Sequence, residues 1–238
     1  MEHLSLGRVE DEGWFGLVCG VWVLLVFAIV FGVVLNVPSA GESGTIYIRA
    51  DGSIDPPTAP IFTTDNVTCT FKDNIYDSIV VERSNIVVDG AGHTVQGLGS
   101  GNGFELSNNV TIRNTNIRGF SWGLYLRSSY STILGNNIKD NGGGVYLGYG
   151  LENNTIPGNK ITNSSDVGVY VEYSCYNNTI SGDNITNNGA DISSSTAFNN
   201  NIVSGNNLAN NGVGVDLYSA SGNIFFGNNI TNHSFWGG

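Results

Sequence analysis

The chain has 238 residues, of which only 12% are charged, and its formal net charge is −11. An acidic surface repels the phosphate backbones of DNA and RNA, so nucleic acid is not expected as a partner. The 33 glycines and the low charge content do not indicate disorder, because apolar residues recur regularly enough to bury a continuous core.

The N-terminal region is predicted to place the chain at a membrane. Residues 1–13 form an acidic flank, and residues 14–37 contain no charged side chain. This apolar stretch exceeds a signal-peptide core and reaches the length of about 20 residues that spans a bilayer. We expect a retained transmembrane anchor or, alternatively, a signal segment cleaved after Ala40. Arg8 is the only basic residue nearby and favours a cytoplasmic N-terminus, which leaves the rest of the chain outside the cytoplasm.

Residues 38–44 are predicted to be a linker, and residues 45–83 to form an N-terminal cap with a first irregular coil. Residues 45–49 alternate apolar and polar side chains as a strand does, whereas residues 55–60 contain three prolines and must form a loop. A cap is required because the first coil of a solenoid otherwise exposes a free strand edge.

Residues 84–238 contain a repeat. Equivalent apolar residues follow one another at steps of 21, 23, 24, 23 and 22 residues, at Ile117, Ile138, Ile161, Ile185, Leu208 and Ile230. Each unit holds three short apolar groups separated by Asn, Gly and Ser, and none of the groups is long enough for a helix. The sequence therefore predicts an all-β fold: a right-handed parallel β-helix solenoid with three short strands per rung of about 22–24 residues and about eight rungs.

One polar column accompanies the apolar one, two residues before it. It consists of Asn136, Asn159, Asp183, Asn206 and Asn228. We expect these residues to turn the corners with left-handed backbone and to hydrogen-bond to their copies in the neighbouring rungs. At residues 235–238 the last rung stops before its third strand. We expect either a fragment of a longer β-helix or pairing through this uncapped C-terminal rung.

Two sequence segments and the repeat that follows them resemble a known family. The segment IYIRADGS at residues 46–53, the segment NIVVDGAGHTV at residues 85–95 and the later NxIxxNxI…NxxGVxL rungs are similar to the NosD-type β-helix repeat proteins. These belong to a broader group of carbohydrate-binding and sugar-hydrolase β-helices. The resemblance covers roughly residues 45–238 and implies an accessory role in copper delivery for nitrous-oxide reductase.

Copper prefers His, Cys or Met ligands, and the three His, three Cys and one Met of this chain are dispersed. We therefore predict neither a metal site nor a cofactor.

The third strand of each rung carries the main candidate binding surface. Its outward column is predicted to contain Glu105, Tyr125, Tyr146, Tyr170, Ser193 and Asp216, and the neighbouring outward column Ser107, Arg127, Gly148, Glu172, Ser195 and Tyr218. A sugar ring can stack on exposed tyrosines while polar groups bind its hydroxyls. We predict a glycan platform formed by Tyr125, Tyr146, Tyr170, Arg127, Glu172 and Asp216. The alternative is that the tyrosines only stabilise the sheet by stacking on one another.

The catalytic alternative is a polysaccharide hydrolase or lyase. Glycoside hydrolysis needs two carboxyl groups about 5–10 Å apart, and Glu172 and Asp216, two rungs apart, lie near the upper limit. No acidic cluster that could bind Ca²⁺ accompanies Arg127. No catalytic residue is therefore assigned.

Eight Asn-x-Ser/Thr sequons make the chain a candidate glycoprotein if it is exported. They begin at Asn66, Asn109, Asn153, Asn163, Asn177, Asn184, Asn229 and Asn232.

Together these observations favour an extracytoplasmic protein, membrane-anchored through residues 14–37 or secreted, that binds a polysaccharide or another cell-envelope component without catalysis. The alternatives are a copper-maturation factor, a polysaccharide hydrolase or lyase, and a structural surface spacer.

Overall fold

The computed structural model describes residues 44–235, which form strands and turns and contain no α-helix. No helix that could cross a lipid bilayer is found among these residues. The acidic flank at residues 1–13 and the predicted anchor at residues 14–37 lie outside the described residues.

The described chain contains short strands at regular intervals. In chain order they are β1 Thr45–Ile48, β2 Ile54–Asp55, β3 Ile61–Thr63, β4 Thr68–Phe71, β5 Ser78–Val81, β6 Ile86–Asp89, β7 Thr94–Gln96, β8 Asn102–Leu106, β9 Val110–Arg113, β10 Asn116–Arg118, β11 Trp122–Leu126, β12 Thr132–Leu134, β13 Asn137–Lys139, β14 Gly143–Leu147, β15 Thr155–Pro157, β16 Lys160–Thr162, β17 Val167–Val171, β18 Thr179–Ser181, β19 Asn184–Thr186, β20 Ala190–Ser194, β21 Ile202–Ser204, β22 Asn207–Ala209, β23 Val213–Leu217, β24 Ile224–Phe226 and β25 Asn229–Thr231.

These strands form three parallel sheets, one for each strand of a rung. The first sheet contains β4, β6, β9, β12, β15, β18, β21 and β24, the second β7, β10, β13, β16, β19, β22 and β25, and the third β1, β5, β8, β11, β14, β17, β20 and β23. The predicted parallel β-helix with three strands per rung is therefore confirmed. It has about seven turns. The predicted count of about eight is too high because in the first coil the second strand is reduced to a single bridge between Ile75 and Val95.

At the N-terminal end, two antiparallel strands lie on the sheet edges. Strand β2 pairs with β1 at the edge of the third sheet, and β3 pairs with β4 at the edge of the first sheet. Both edge strands are short, which limits the row of free backbone groups that another chain could pair with.

The predicted isoleucine register is confirmed in the second sheet. Ile117 pairs with Ile138, Ile138 with Ile161, and Ile161 with Ile185. The variable repeat length therefore falls in the turns, and the strands keep their alignment. Equivalent side chains form buried ladders in all three sheets, so that the core is a stack of Ile, Val and Leu layers.

The asparagine column also forms a buried ladder, but its predicted backbone conformation is wrong. The backbone N–H of Asn136 donates to Oδ1 of Asn159 at 2.9 Å, and Asp183 donates in the same way to Asn206 at 2.9 Å. Left-handed backbone is found instead at the residue before each ladder position, at Gly135, Gly158, Gly182, Gly205 and Gly227. Glycine takes this conformation without a Cβ penalty, and the next side chain is then free to point inward.

A second column of small residues allows the third sheet to pack against the second. It contains Gly103, Gly123, Gly144, Gly168 and Gly214, each the second residue of its strand. A Cβ atom on Gly144 would lie 2.3 Å from the carbonyl oxygen of Gly168 and 2.6 Å from Cγ2 of Ile161. Asp191 holds the equivalent place in β20 and is the one exception among the strands from β8 to β23.

Candidate functional site

The three predicted tyrosines form one continuous stack on the outer face of the third sheet. Tyr125 pairs in register with Tyr146, and Tyr146 with Tyr170. The ring centroids of Tyr125 and Tyr146 are 4.4 Å apart with an interplanar angle of 8°, and those of Tyr146 and Tyr170 are 5.5 Å apart at 22°. We call these three residues the tyrosine strip.

Trp122 extends this aromatic surface, although sequence reasoning missed it. Its indole lies 5.0 Å from the Tyr146 ring in an edge arrangement and 6.2 Å from the Tyr170 ring. The indole reaches them across Gly143, where an added Cβ would be 2.1 Å from the tryptophan ring. A tryptophan followed one rung later by a glycine in the same outward column was the signal in the sequence.

The charged candidates at the two sides of the strip have different environments. The guanidinium carbon of Arg127 lies 5.0 Å from the centre of the Tyr125 ring, and its Nη1 is 3.8 Å from Oε2 of Glu105. The hydroxyl of Tyr146 donates a hydrogen bond to Glu172. Burial of the phenol and this carboxylate raise the pKa of Tyr146 well above its ordinary value, so the hydroxyl keeps its proton.

Asp216 is aligned with the strip but does not touch it. It pairs with Ser193, which separates it from Tyr170 by one rung. The stacked rings cover one another's faces, so a ligand ring cannot enter between them. The next side chain in the column after Tyr170 is that of Ser193, which has no ring, so the stack ends there without a further aromatic partner. The surfaces left for stacking are this end of the strip and the indole of Trp122.

A groove lies beside Trp122, on the turns that lead into the third sheet. It has a volume of about 590 Å³ and is lined by residues from four successive rungs, among them Phe120, Trp122, Asp140 and Asp166. Trp122 borders both the groove and the tyrosine strip, so the two form one connected surface. The groove could not be predicted from the sequence, because it is lined by turns whose lengths differ between rungs.

Six of the eight sequon asparagines lie at turns with left-handed backbone: Asn66, Asn109, Asn153, Asn163, Asn177 and Asn232. The other two, Asn184 and Asn229, lie in strands β19 and β25. Oδ1 of Asn184 accepts a 2.7 Å hydrogen bond from Asn207, whose own Oδ1 accepts from Asn229 at 2.8 Å. Glycosylation stays a prediction. A glycan is attached to the Nδ2 atom of asparagine, and this atom donates a hydrogen bond at Asn109, Asn163 and Asn229.

The C-terminal rungs contain a buried carboxylate beside an imidazole. Oδ2 of Asp191 lies 3.7 Å from Nε2 of His233, and neither side chain is more than 1% exposed. Neither the carboxylate oxygens nor the imidazole nitrogens have a hydrogen-bond partner within residues 44–235. Burial raises the pKa of Asp191 to about 8. The Asp191 carboxylate is held inside the solenoid, in the strand next to the one that carries Tyr170, whereas the tyrosine strip lies on the outer face of that sheet.

The residues that would bind a soft metal are scattered. No group of three or more His, Cys, Asp or Glu side chains suited to hold a metal ion occurs within residues 44–235. Cys69 and Cys175 are both buried, free thiols. Burial raises the pKa of Cys175 to about 11, which disfavours the thiolate that a metal requires.

A family model described as "Periplasmic copper-binding protein (NosD)" matches residues 52–236, which is more than half of the chain. The chain belongs to the NosD family. This confirms the resemblance found in the sequence. No curated protein and no solved structure gives a significant match. The copper-binding description of the NosD family does not fit the described residues of this member, because they supply no clustered donor set.

Proposed function

We propose that this NosD-family protein is an extracytoplasmic binding protein that holds a glycan, or a glycan-bearing envelope component, without catalysis. The observation that carries the proposal is the connected surface of Trp122, its neighbouring groove and the tyrosine strip. Carbohydrate sites combine aromatic faces, which pack on sugar C–H groups, with a few fixed polar groups that bind hydroxyls. Arg127, Glu172 and Asp216 supply such polar groups on the same sheet.

Trp122 favours binding over a purely structural stack. Cross-strand tyrosine pairs stabilise any sheet, so the strip alone has a simple structural explanation. An indole that is only half-buried and leans across a glycine adds little to the core, yet it extends the aromatic surface toward an open groove. The description of the family as periplasmic supports an extracytoplasmic location, and the apolar stretch at residues 14–37 supports membrane anchoring.

Family membership also supports a second proposal, an accessory role in the maturation of a copper enzyme. Because the described residues offer no donor cluster, this role would act through a protein partner and not through copper held by the solenoid. Equilibrium dialysis of the full-length protein against Cu(I) and Cu(II) tests it. Stoichiometric copper binding that survives a weak competing chelator would show that donors outside the described residues take part.

The test of glycan binding uses the full-length protein on a glycan array, with Trp122→Ala and Tyr146→Ala beside it. Tyr76→Ala is the matched control, because Tyr76 is 64% exposed and belongs to the first coil, away from the strip. We expect both strip variants to lose at least about tenfold in affinity, equivalent to about 1.4 kcal/mol, and the control to bind as the wild type does. Absence of binding by the folded protein, or equal losses in all three variants, would contradict the proposal.

A further inference from the structure

The groove beside Trp122 has the size of a ligand site, and the charged residues that line it are all acidic. Its volume of about 590 Å³ falls within the range of about 300–1,000 Å³ typical of small-molecule sites. Two carboxylates, those of Asp140 and Asp166, line it, and no lining residue is basic. Glycines are among the lining residues, and the half-buried Trp122 supplies the one lining aromatic ring that is not buried.

The two carboxylates differ in how they are neutralised. Asp140 lies 3.7 Å from Nζ of Lys139 and accepts a 3.2 Å hydrogen bond from Nδ2 of Asn163. Asp166 has no ion-pair partner within residues 44–235. The groove therefore presents one carboxylate whose charge is left for a ligand, and it is also lined by an indole, whose π face attracts cations.

The protein surface around the groove is also negatively charged. Glu172 and Asp216 stand on the adjoining sheet, and the charge of Arg127 is opposed by Glu105 at 3.8 Å. The whole chain carries a formal net charge of −11, which raises the local concentration of cations and repels anions. Uronates, sulfated sugars and phosphate-bearing polymers therefore suit this face poorly.

We infer that the groove selects amino sugars with a free, protonated amine, the ammonium lying between the indole of Trp122 and the carboxylate of Asp166. This inference rests on the proposed glycan-binding function and narrows it to a cationic hexosamine polymer. N-acetylation removes the positive charge while leaving the sugar ring intact. A glucosamine oligomer and its N-acetylated counterpart therefore share their sugar rings but differ in the charge at nitrogen, on which the inferred selectivity depends.

The experiment measures binding of glucosamine pentasaccharide, N-acetylglucosamine pentasaccharide and an oligogalacturonate to the full-length protein, by calorimetry and by tryptophan fluorescence at mildly acidic pH. We expect the glucosamine oligomer to bind at least about tenfold more tightly than the acetylated one, since charge-assisted contacts are the stronger ones. We expect this preference to shrink in about 0.5 M NaCl, because salt screens exposed charges. The oligogalacturonate should not bind.

Variants separate the groove from the general acidity of the protein. Asp166→Asn should remove most of the preference for the free amine, and Trp122→Ala should weaken both hexosamine oligomers. Asp73→Asn makes the same charge change at an exposed carboxylate of the first coil and should leave the preference intact.

The outcomes distinguish the two proposals. If both oligomers bind equally and their binding depends on Trp122, the inference is overturned while the proposed glycan binding stands. If the glucosamine oligomer binds best but Asp166→Asn and Asp73→Asn weaken it equally, the attraction is one of net charge and the inference is overturned. If no sugar binds the folded protein, both proposals fail.

Discussion

Oδ1 of Asp183 accepts a 2.6 Å hydrogen bond from the backbone N–H of Asn159, while its Oδ2 is buried with no hydrogen-bond partner among residues 44–235. One rung earlier the corresponding atom is Nδ2 of Asn159, which donates to the carbonyl oxygen of Ile133 at 2.7 Å. The equivalent carbonyl for Asp183 is that of Ile156, and only a protonated carboxyl group can donate to it. Burial accordingly raises the pKa of Asp183 to about 7.

Replacing Asp183 by Asn is expected to stabilise the protein at neutral pH by about 1–3 kcal/mol, because it supplies the missing donor to the ladder. The folded-state pKa of Asp183 lies above its unfolded value of 3.8. Its stabilising contribution is thus complete below about pH 4 and declines as the pH rises through about 7. Urea unfolding of the wild type and Asp183→Asn at about pH 5 and 8 measures this. An unchanged difference between the two proteins at both pH values would contradict the assignment.

The buried Asp191 is expected to weaken the fold as the pH rises. Its folded-state pKa is raised from 3.8 to about 8, so the folded state binds the proton more tightly and stability falls between about pH 4 and 8. Asp191→Asn keeps the volume and removes the ionisation, so it should unfold at higher urea than the wild type at about pH 8.5 and at similar urea near pH 4.5. A lower midpoint of Asp191→Asn at pH 8.5 would instead show that the Asp191 carboxylate stabilises the fold.

Adding a single methyl group in the glycine column is expected to lower the free energy of unfolding strongly. In Gly144→Ala the new Cβ would meet the backbone oxygen of Gly168 in the adjacent strand at 2.3 Å and Cγ2 of Ile161 in the second sheet at 2.6 Å, so the local packing must shift, and we expect a loss of about 2–4 kcal/mol. Gly150→Ala is the control, because Gly150 has φ +70° but open space around it, and should cost about 1 kcal/mol. Equal losses in urea unfolding would refute crowding as the reason for this column.

The two described thiols are expected to resist modification until the protein unfolds. Cys175 is fully buried, and its Sγ donates to the carbonyl oxygen of Gly148 at 3.0 Å. Burial raises the pKa of both Cys175 and Cys69. The third cysteine, Cys19, is replaced by serine so that only these two thiols can react. At about pH 8 a thiol reagent should then react with the native Cys19→Ser variant at least about 100-fold more slowly than with the same variant in denaturant. Rapid reaction of one thiol in the native protein would contradict the burial described.

The fold could be predicted because each rung repeats the same alternation of side chains. A period read at one residue, Ile117 and its copies, is enough to set the register of a whole sheet, and the alignment of the tyrosines follows from it. The backbone of the corners could not be assigned in this way. Left-handed conformation and inward hydrogen bonding were both predicted for the asparagines, whereas the structure divides them between neighbouring residues, with Gly135 turning the chain and Asn136 bonding the rungs.

The site was harder to predict because it depends on side chains that cross from one rung to another. The succession of Trp122 and Gly143 in one outward column shows that there is space for the indole, but the sequence does not show in which direction the indole leans. The contact of Asp191 with His233 joins residues on different rungs and becomes visible only when the glycine column is aligned and its exception is noticed. In that alignment the strand ADISS has aspartate at its second position, where WGLYL and VGVYV have glycine.

The hydrogen bonds between rungs also affect how readily the asparagines of this protein deamidate. An asparagine followed by glycine deamidates readily, through attack of the glycine nitrogen on the side-chain amide, and asparagine is one of the thermolabile residues. Asn141 and Asn211 are each followed by glycine, but the nitrogens of Gly142 and Gly212 donate to carbonyls of the preceding rung at 2.8 and 3.2 Å. The folded rungs thus withhold the attacking nitrogen. The side-chain amides of Asn141 and Asn211 also donate, to the carbonyl oxygens of Ile117 and Ile185. Deamidation of either residue would therefore put a carboxyl oxygen where the rung now has an N–H donor, as Asp183 does in its own ladder.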